Sequence, residues 1–88
     1  MGGRDTLLEF PCSFPIKVMG RSEHGIRARV LEIAQAHAVD TDAMSIAERP
    51  SSDGNFVAVT LTLMATSKDE LDRIYGALSE VDEFLMVL

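Results

Sequence analysis

The stretch Phe56-Val57-Ala58-Val59-Thr60-Leu61-Thr62-Leu63-Met64-Ala65-Thr66-Ser67-Lys68-Asp69-Glu70-Leu71-Asp72-Arg73-Ile74-Tyr75-Gly76-Ala77-Leu78 changes period part-way, and that change decides the fold. Up to Ala65 the side chains alternate, with Val57, Val59, Leu61, Leu63 and Ala65 on one side and Phe56, Ala58, Thr60, Thr62 and Met64 on the other. This is the period of a strand, and its threonines mark the second face as partly exposed. From Ser67 the period becomes helical. Ser67-Lys68-Asp69-Glu70 matches a capping box, and Leu71, Ile74, Tyr75 and Leu78 follow at i, i+3, i+4 and i+7. The acidic residues from Lys68 to Asp72 favour the positive end of the helix and solubility.

Working back from Phe56, Pro50-Ser51-Ser52-Asp53-Gly54-Asn55 is rich in turn residues, with Asp53-Gly54 as the tip of a hairpin. Ala43 to Arg49 precedes it as a short strand stopped by Pro50. Val39 to Asp42 reads as a loop. Ser22 offers an N-cap to an amphipathic helix ending near Ala38, with Ile26, Val30, Ile33, Ala34 and His37 on one side. Phe14 to Met19 is a strand that starts at Pro15 and ends at Gly20, with Phe14, Ile16 and Val18 on one face. Downstream, Phe84-Leu85-Met86-Val87-Leu88 is apolar throughout and too short for a helix, so it closes the chain as a strand.

The order βαββαβ, with right-handed crossovers, places two helices on one face of a four-stranded antiparallel sheet. The fold class is therefore α+β, a ferredoxin-like plait, with the first and third strands central. Residues 1–88 form one domain: the chain has 88 residues and shows no repeat or linker. Residues 1–6 are expected to fray, and residues 7–13 form an N-terminal segment that can pack on the sheet. The far face of the sheet carries Phe56, Met64, Met19 and one side of Phe84 to Leu88, a larger apolar patch than a monomer usually exposes. Leu7-Leu8-Glu9-Phe10 folding over it is one expectation; an interface formed by Phe56, Met64, Phe84, Leu85 and Met86, for self-association or for an unidentified protein partner, is the other.

Composition bounds the function classes. A hydrophobic fraction of 47% and a charged fraction of 25% fit a folded globule. No apolar run reaches the ~20 residues of a membrane span. The net charge of −6 argues against nucleic acid as a partner. Five basic residues face six acidic ones in residues 1–44, against three and eight in residues 45–88, so the excess acid sits in the second half. Met1 to Asp5 lacks the order of a signal peptide, which makes the cytoplasm the expected location. Cys12 is the single cysteine and has no nearby ligand in sequence; His24 and His37 lie thirteen residues apart along one helix. No cofactor or metal is expected.

Four stretches carry a resemblance: Leu7-Leu8-Glu9-Phe10-Pro11, Lys17-Val18-Met19-Gly20, Pro50-Ser51-Ser52-Asp53-Gly54-Asn55-Phe56 and Met86-Val87-Leu88. In this order they resemble the YbeD-like family of small bacterial proteins of unknown function. The resemblance implies a ferredoxin-like fold similar to ACT regulatory domains, a cytoplasmic location and no established activity. Phe56 stands where the family often has tyrosine, and Leu85 where it tends to have a basic residue.

The loop Gly20-Arg21-Ser22-Glu23-His24-Gly25 joins a central strand to a helix N-terminus, whose free amides can receive an anion. Lys17, Arg21, Arg27 and Arg29 against Glu23 make this segment locally basic. One reading of this segment is a capped loop whose solvated arginines flank an apolar helix face; another, suggested by the resemblance of Gly25-Ile26 to the start of the ACT helix, is an ACT-like site for a small anionic metabolite at Gly20, Arg21, Ser22, Gly25 and Ile26. The third, competing reading is an acylphosphatase-like hydrolase, since Val18 to Ile26 is similar to the first loop of that enzyme. It carries one extra residue between the glycines, which moves Arg21 out of register, and Asn55 belongs to the later hairpin. The expectation is thus a non-enzymatic regulatory or protein-interaction module.

Overall fold

A computed structural model describes residues 9–88. Strand β1 (Cys12–Arg21) is followed by a 3-10 turn, helix α1 (Ile26–His37), a second 3-10 turn and the hairpin of β2 (Ser45–Pro50) and β3 (Phe56–Ala65); helix α2 (Lys68–Ser79) then leads to β4 (Phe84–Val87). The sheet is antiparallel in the order β2-β3-β1-β4. Both helices pack on one face, which is the ferredoxin-like α+β plait expected from the period changes.

β3 and α2 have nearly the bounds the sequence predicts. In β3 the residues from Val57 to Ala65 at every second position are buried, and their neighbours are not. Ser67 caps α2 by accepting the Glu70 amide hydrogen bond at 3.2 Å. The Glu70 side chain turns away from the cap and is fully buried. Its Oε1 accepts from the Thr66 amide at 2.7 Å and the Thr66 hydroxyl at 2.8 Å, while Oε2 accepts from the Val39 amide at 2.7 Å. One carboxylate therefore ties the segment after α1 to the entry of α2.

β1 is longer than expected, pairing with β3 from Cys12↔Ala65 to Arg21↔Phe56. Pro15 lies inside it without cost. The Lys17 amide donates to the Leu88 carbonyl at 3.1 Å, so the Pro15 nitrogen, two residues earlier, faces the same flank, where β4 has already ended. Pro50 is likewise accommodated at the end of edge strand β2. Asp40 accepts the Asp42 amide and stabilises the turn Thr41–Ala43, which delays β2 to Ser45.

Ser22 does not cap α1. It lies in the 3-10 turn Ser22–His24, and α1 begins only after Gly25, whose φ of 61° is left-handed. The Ser22 hydroxyl donates to the Gly54 carbonyl at 2.8 Å and its amide to the Asn55 carbonyl at 2.9 Å, fastening the first loop to the hairpin tip. The tip itself forms where expected, with Gly54 at φ 78°.

Phe84 requires a correction. The β1–β4 register runs Val18↔Val87, Met19↔Met86, then Gly20↔Phe84, so Leu85 is an extra, bulged residue. The bulge turns Phe84 to the helix side, where it is 8% exposed and part of the core with Ile16, Val18, Leu61, Ile74 and Leu78. Phe10 also packs against this core, so the described end of the N-terminal segment lies on the helix side of the sheet. Leu7 and Leu8 fall outside the described residues. Among those described, no helix is long and apolar enough to cross a membrane.

Candidate functional site: the open sheet face

The strand register fixes which residues share the uncovered face. Ser13, Pro15, Lys17, Met19 and Arg21 come from β1; Phe56, Ala58, Thr60, Thr62 and Met64 from β3; Ser45, Ala47 and Arg49 from β2; Met86 from β4. Leu88 joins them, because it exchanges both backbone hydrogen bonds with Lys17.

Of the expected interface residues, Phe56 and Met86 lie towards one end of this face, at 41% and 47% exposure, and the bulged Leu85 next to Met86 is 61% exposed. Met19 lies between them, opposite both Ala58 and Met86. Met64 is exposed too, but stands eight residues along β3 from Phe56, about 27 Å away at ~3.4 Å per residue. It belongs to the opposite end of the sheet.

The face is also cationic. Lys17, Arg21 and Arg49 lie on it, and no acidic residue occupies an open-face position of the four strands, although the whole chain has a net charge of −6. The Arg21 guanidinium sits 5.4 Å from the centroid of the Phe56 ring, and its Nε lies 3.6 Å from Glu23. Lys17 and Arg49 make no ion pair among the described residues. A shallow depression of about 210 Å³ lies between these two, over Ala47, Ala58 and Thr60, and Glu48 of edge strand β2, whose register position is on the helix side, also lines it. An adjoining one of about 240 Å³ is lined by Met19, Arg49, Pro50, Phe56 and Ala58. A third lies against Pro15, Lys17, Thr60 and Leu88.

The residues expected to bind a ligand at the first loop are held apart. Gly20 is buried beneath Ile26: a Cβ there would sit 2.5 Å from Ile26 Cδ1 and 2.7 Å from the Glu83 carbonyl oxygen. This glycine permits close packing of α1 on the sheet. Ile26 is 1% exposed, Ser22 is bonded to the hairpin, and Arg21 reaches across the open face. Arg29 pairs with Glu83 at 3.3 Å, while Arg27 lines a surface hollow on α1. The local basic cluster thus divides between the two sides of the sheet.

Cys12 pairs with Ala65 on the helix side. His24 lies 3.8 Å from Glu23, and His37 ends α1. Glu70, the one buried titratable side chain among the described residues, is fully hydrogen-bonded. Burial pushes its pKa up, but the hydrogen bonds from Thr66 and Val39 and the charge of Arg73 outweigh this and hold it below the ordinary 4.5.

Sequence reasoning missed Arg49 as a member of the face, while Leu88 lies there as the alternation of the last strand implies. The signal for Arg49 was its spacing from the Asp53-Gly54 turn, which sets the register Arg49↔Ala58.

Comparison with known proteins agrees with this architecture. Residues 5–88 match a family described as "Protein of unknown function (DUF493)". A UPF0250 protein of Nitrosomonas europaea is 39% identical over 84 residues, covering 96% of this chain and 97% of that protein. One of Neisseria gonorrhoeae is 41% identical over 85 residues, covering 97% and 93%. Among solved structures, protein HP0495 from H. pylori aligns with a TM-score of 0.68 at 13% identity, over 92% of this chain and 85% of that one. The C-terminal domain of the MgtC protein from Mycobacterium tuberculosis aligns at 0.58 with 18% identity, over 92% and 88%. At these identities the structures share the fold alone. The chain belongs to the DUF493 family, the YbeD-like group of small bacterial proteins of unknown function that its four sequence stretches resembled.

Proposed function

We propose that this member of the DUF493 family is a non-catalytic, cytoplasmic interaction module, ACT-like in its regulatory role, which docks another protein on its open sheet face. The observation that carries this reading is the set Phe56, Met19 and Met86 beside Arg21 and Arg49 on a face that no described element covers. Aromatic, methionine and arginine side chains are enriched at protein interfaces, and methionines adapt their shape to a partner. Face-to-face self-association is disfavoured, because it sets Lys17, Arg21 and Arg49 against their own copies. Edge pairing through β4 is limited by its four residues and its bulge.

The small-anion reading of the first loop has less support, since Ser22 is bonded to the hairpin and Ile26 is buried. The hydrolase reading needs an arginine against the loop amides, whereas Arg21 extends over Phe56. Photo-crosslinking in cells tests the proposal, with the reactive side chain placed at Phe56, at Met86 or, as a control, at the exposed Gln35 of α1. Discrete protein adducts from the first two positions and none from Gln35 are expected. Adducts from Gln35 alone, or from no position, would refute the reading.

A further inference from the structure

The three depressions on the open face are continuous. The two outer ones each share a pair of residues with the middle one: Arg49 and Ala58 on one side, Lys17 and Thr60 on the other. The result is a diagonal track with apolar ends, formed by Met19, Phe56 and Pro50 at one end and Pro15 and Leu88 at the other. Its middle has two cations and one carboxylate, Lys17 and Arg49 against Glu48, over a floor of small side chains, a local excess of positive charge. The outer depressions are separated by about four residues along β3 and one to two strands across, roughly 15 Å in all.

From this geometry we infer that the track binds an extended acidic segment of a partner protein, of the pattern apolar-x-acidic-x-apolar. The inference rests on the interaction reading above and adds the partner's chemistry. An extended chain turns every second side chain to the same side at ~6.8 Å intervals, so three such side chains span about 14 Å and match the track. The two apolar side chains enter the outer depressions. The carboxylate lies between Arg49 and Lys17, which make no ion pair among the described residues.

Charge selects this occupant over the alternatives. A second copy would present the same three cations. A long polyanion would meet the field of a chain with net charge −6 and fourteen acidic residues. A short acidic segment meets only the local face. Nor is Phe56 free as a stacking platform for a base, because the Arg21 guanidinium covers it.

The test is a titration of the 15N-labelled chain with the capped peptide Gly-Ser-Leu-Ser-Glu-Ser-Leu-Ser-Gly. Controls are the same peptide with Gln or Lys replacing Glu, inorganic phosphate and an oligouridine. We expect the Glu peptide to shift the amides of Lys17, Met19, Arg49, Ala58 and Thr60, and the Gln peptide to bind at least five-fold more weakly. Raising NaCl from ~50 to ~500 mM should weaken the Glu peptide and leave the Gln peptide unchanged. The Lys17→Glu/Arg49→Glu variant should lose the Glu peptide and gain the Lys peptide, a swap that a misfolded protein could not give. Equal binding of the Glu and Gln peptides, shifts centred on Gly20 to Ile26, or tighter binding of phosphate or oligouridine would overturn the inference. Cellular crosslinks at Phe56 and Met86 that persist in the double variant would overturn the acidic pattern and leave the interaction module standing. Absence of those crosslinks in the wild type, with Glu-peptide binding intact, would overturn the interaction module and leave the peptide chemistry of the track standing.

Discussion

Glu70 and Val39, 31 residues apart in the chain, are joined by a 2.7 Å hydrogen bond from the Val39 amide to the buried Glu70 carboxylate. With two more bonds from Thr66, this side chain holds the segment after α1 against the start of α2. Replacing it by Gln keeps the shape but turns an amide N–H2 towards one of the donors. Glu70→Gln is expected to destabilise the fold by about 2–3 kcal/mol. For a domain of this size that lowers Tm by about 8–20 °C, measurable by thermal melting at pH 7.

The same carboxylate sets part of the acid response. Its folded pKa lies below the ordinary 4.5, so the folded state binds its proton less readily than the unfolded chain. Its contribution is full above pH 4.5 and declines as pH falls through that value to the folded pKa. Urea unfolding at several pH values should show the wild type losing stability faster than Glu70→Gln on going below pH 4.5. Parallel curves would contradict the assignment.

Gly20 and Gly25 should respond differently to alanine. At Gly20 the new Cβ meets Ile26 Cδ1 at 2.5 Å and the Glu83 carbonyl at 2.7 Å, a clash that costs about 2–3 kcal/mol. Adding Ile26→Val removes the Cδ1 contact, the closest of the three, so the double variant should lose less than the sum of its parts. At Gly25 nothing lies within 4 Å, but φ is +61°, and the left-handed conformation costs alanine about 1–2 kcal/mol. Chemical denaturation of the four proteins checks the order.

Leu85 and Phe84 are neighbours with opposite fates. Leu85→Asp changes a side chain that is 61% exposed and should alter stability by no more than about 0.5 kcal/mol. Phe84→Asp places a charge in the core beside Gly20 and should abolish cooperative folding. Circular dichroism and melting of both variants test the bulge that separates them. Comparable stability of the two would contradict it.

These cases show what the sequence carries. The bounds of β3 and α2 are legible because each rests on local information: ten alternating residues in one, a serine cap and a 3.6 repeat in the other. Ser22 reads as a helix cap for the same local reason, yet its hydroxyl is taken by Gly54, 32 residues away. Phe84 shares the parity of Met86 and so reads as a neighbour on the open face; one bulged residue reverses it. Pro15 reads as a strand start because its flank becomes visible only when β4 is in place. The site follows the same rule. Lys17, Arg21, Arg27 and Arg29 group by proximity in sequence, whereas the sheet groups Lys17 and Arg21 with Arg49, through the hairpin register, and sends Arg29 to Glu83.

The central claim is that a partner covers the open face, and the methionines report on it directly. Met19, Met64 and Met86 lie on that face, while Met44 packs against the core from the other side. In protein labelled at its methionine methyl carbons and placed in lysate of its own cells, the Met19 and Met86 signals should broaden, Met44 should stay sharp, and excess unlabelled protein should restore the lost lines. Broadening led by Met44, or sharp lines throughout, would contradict the account.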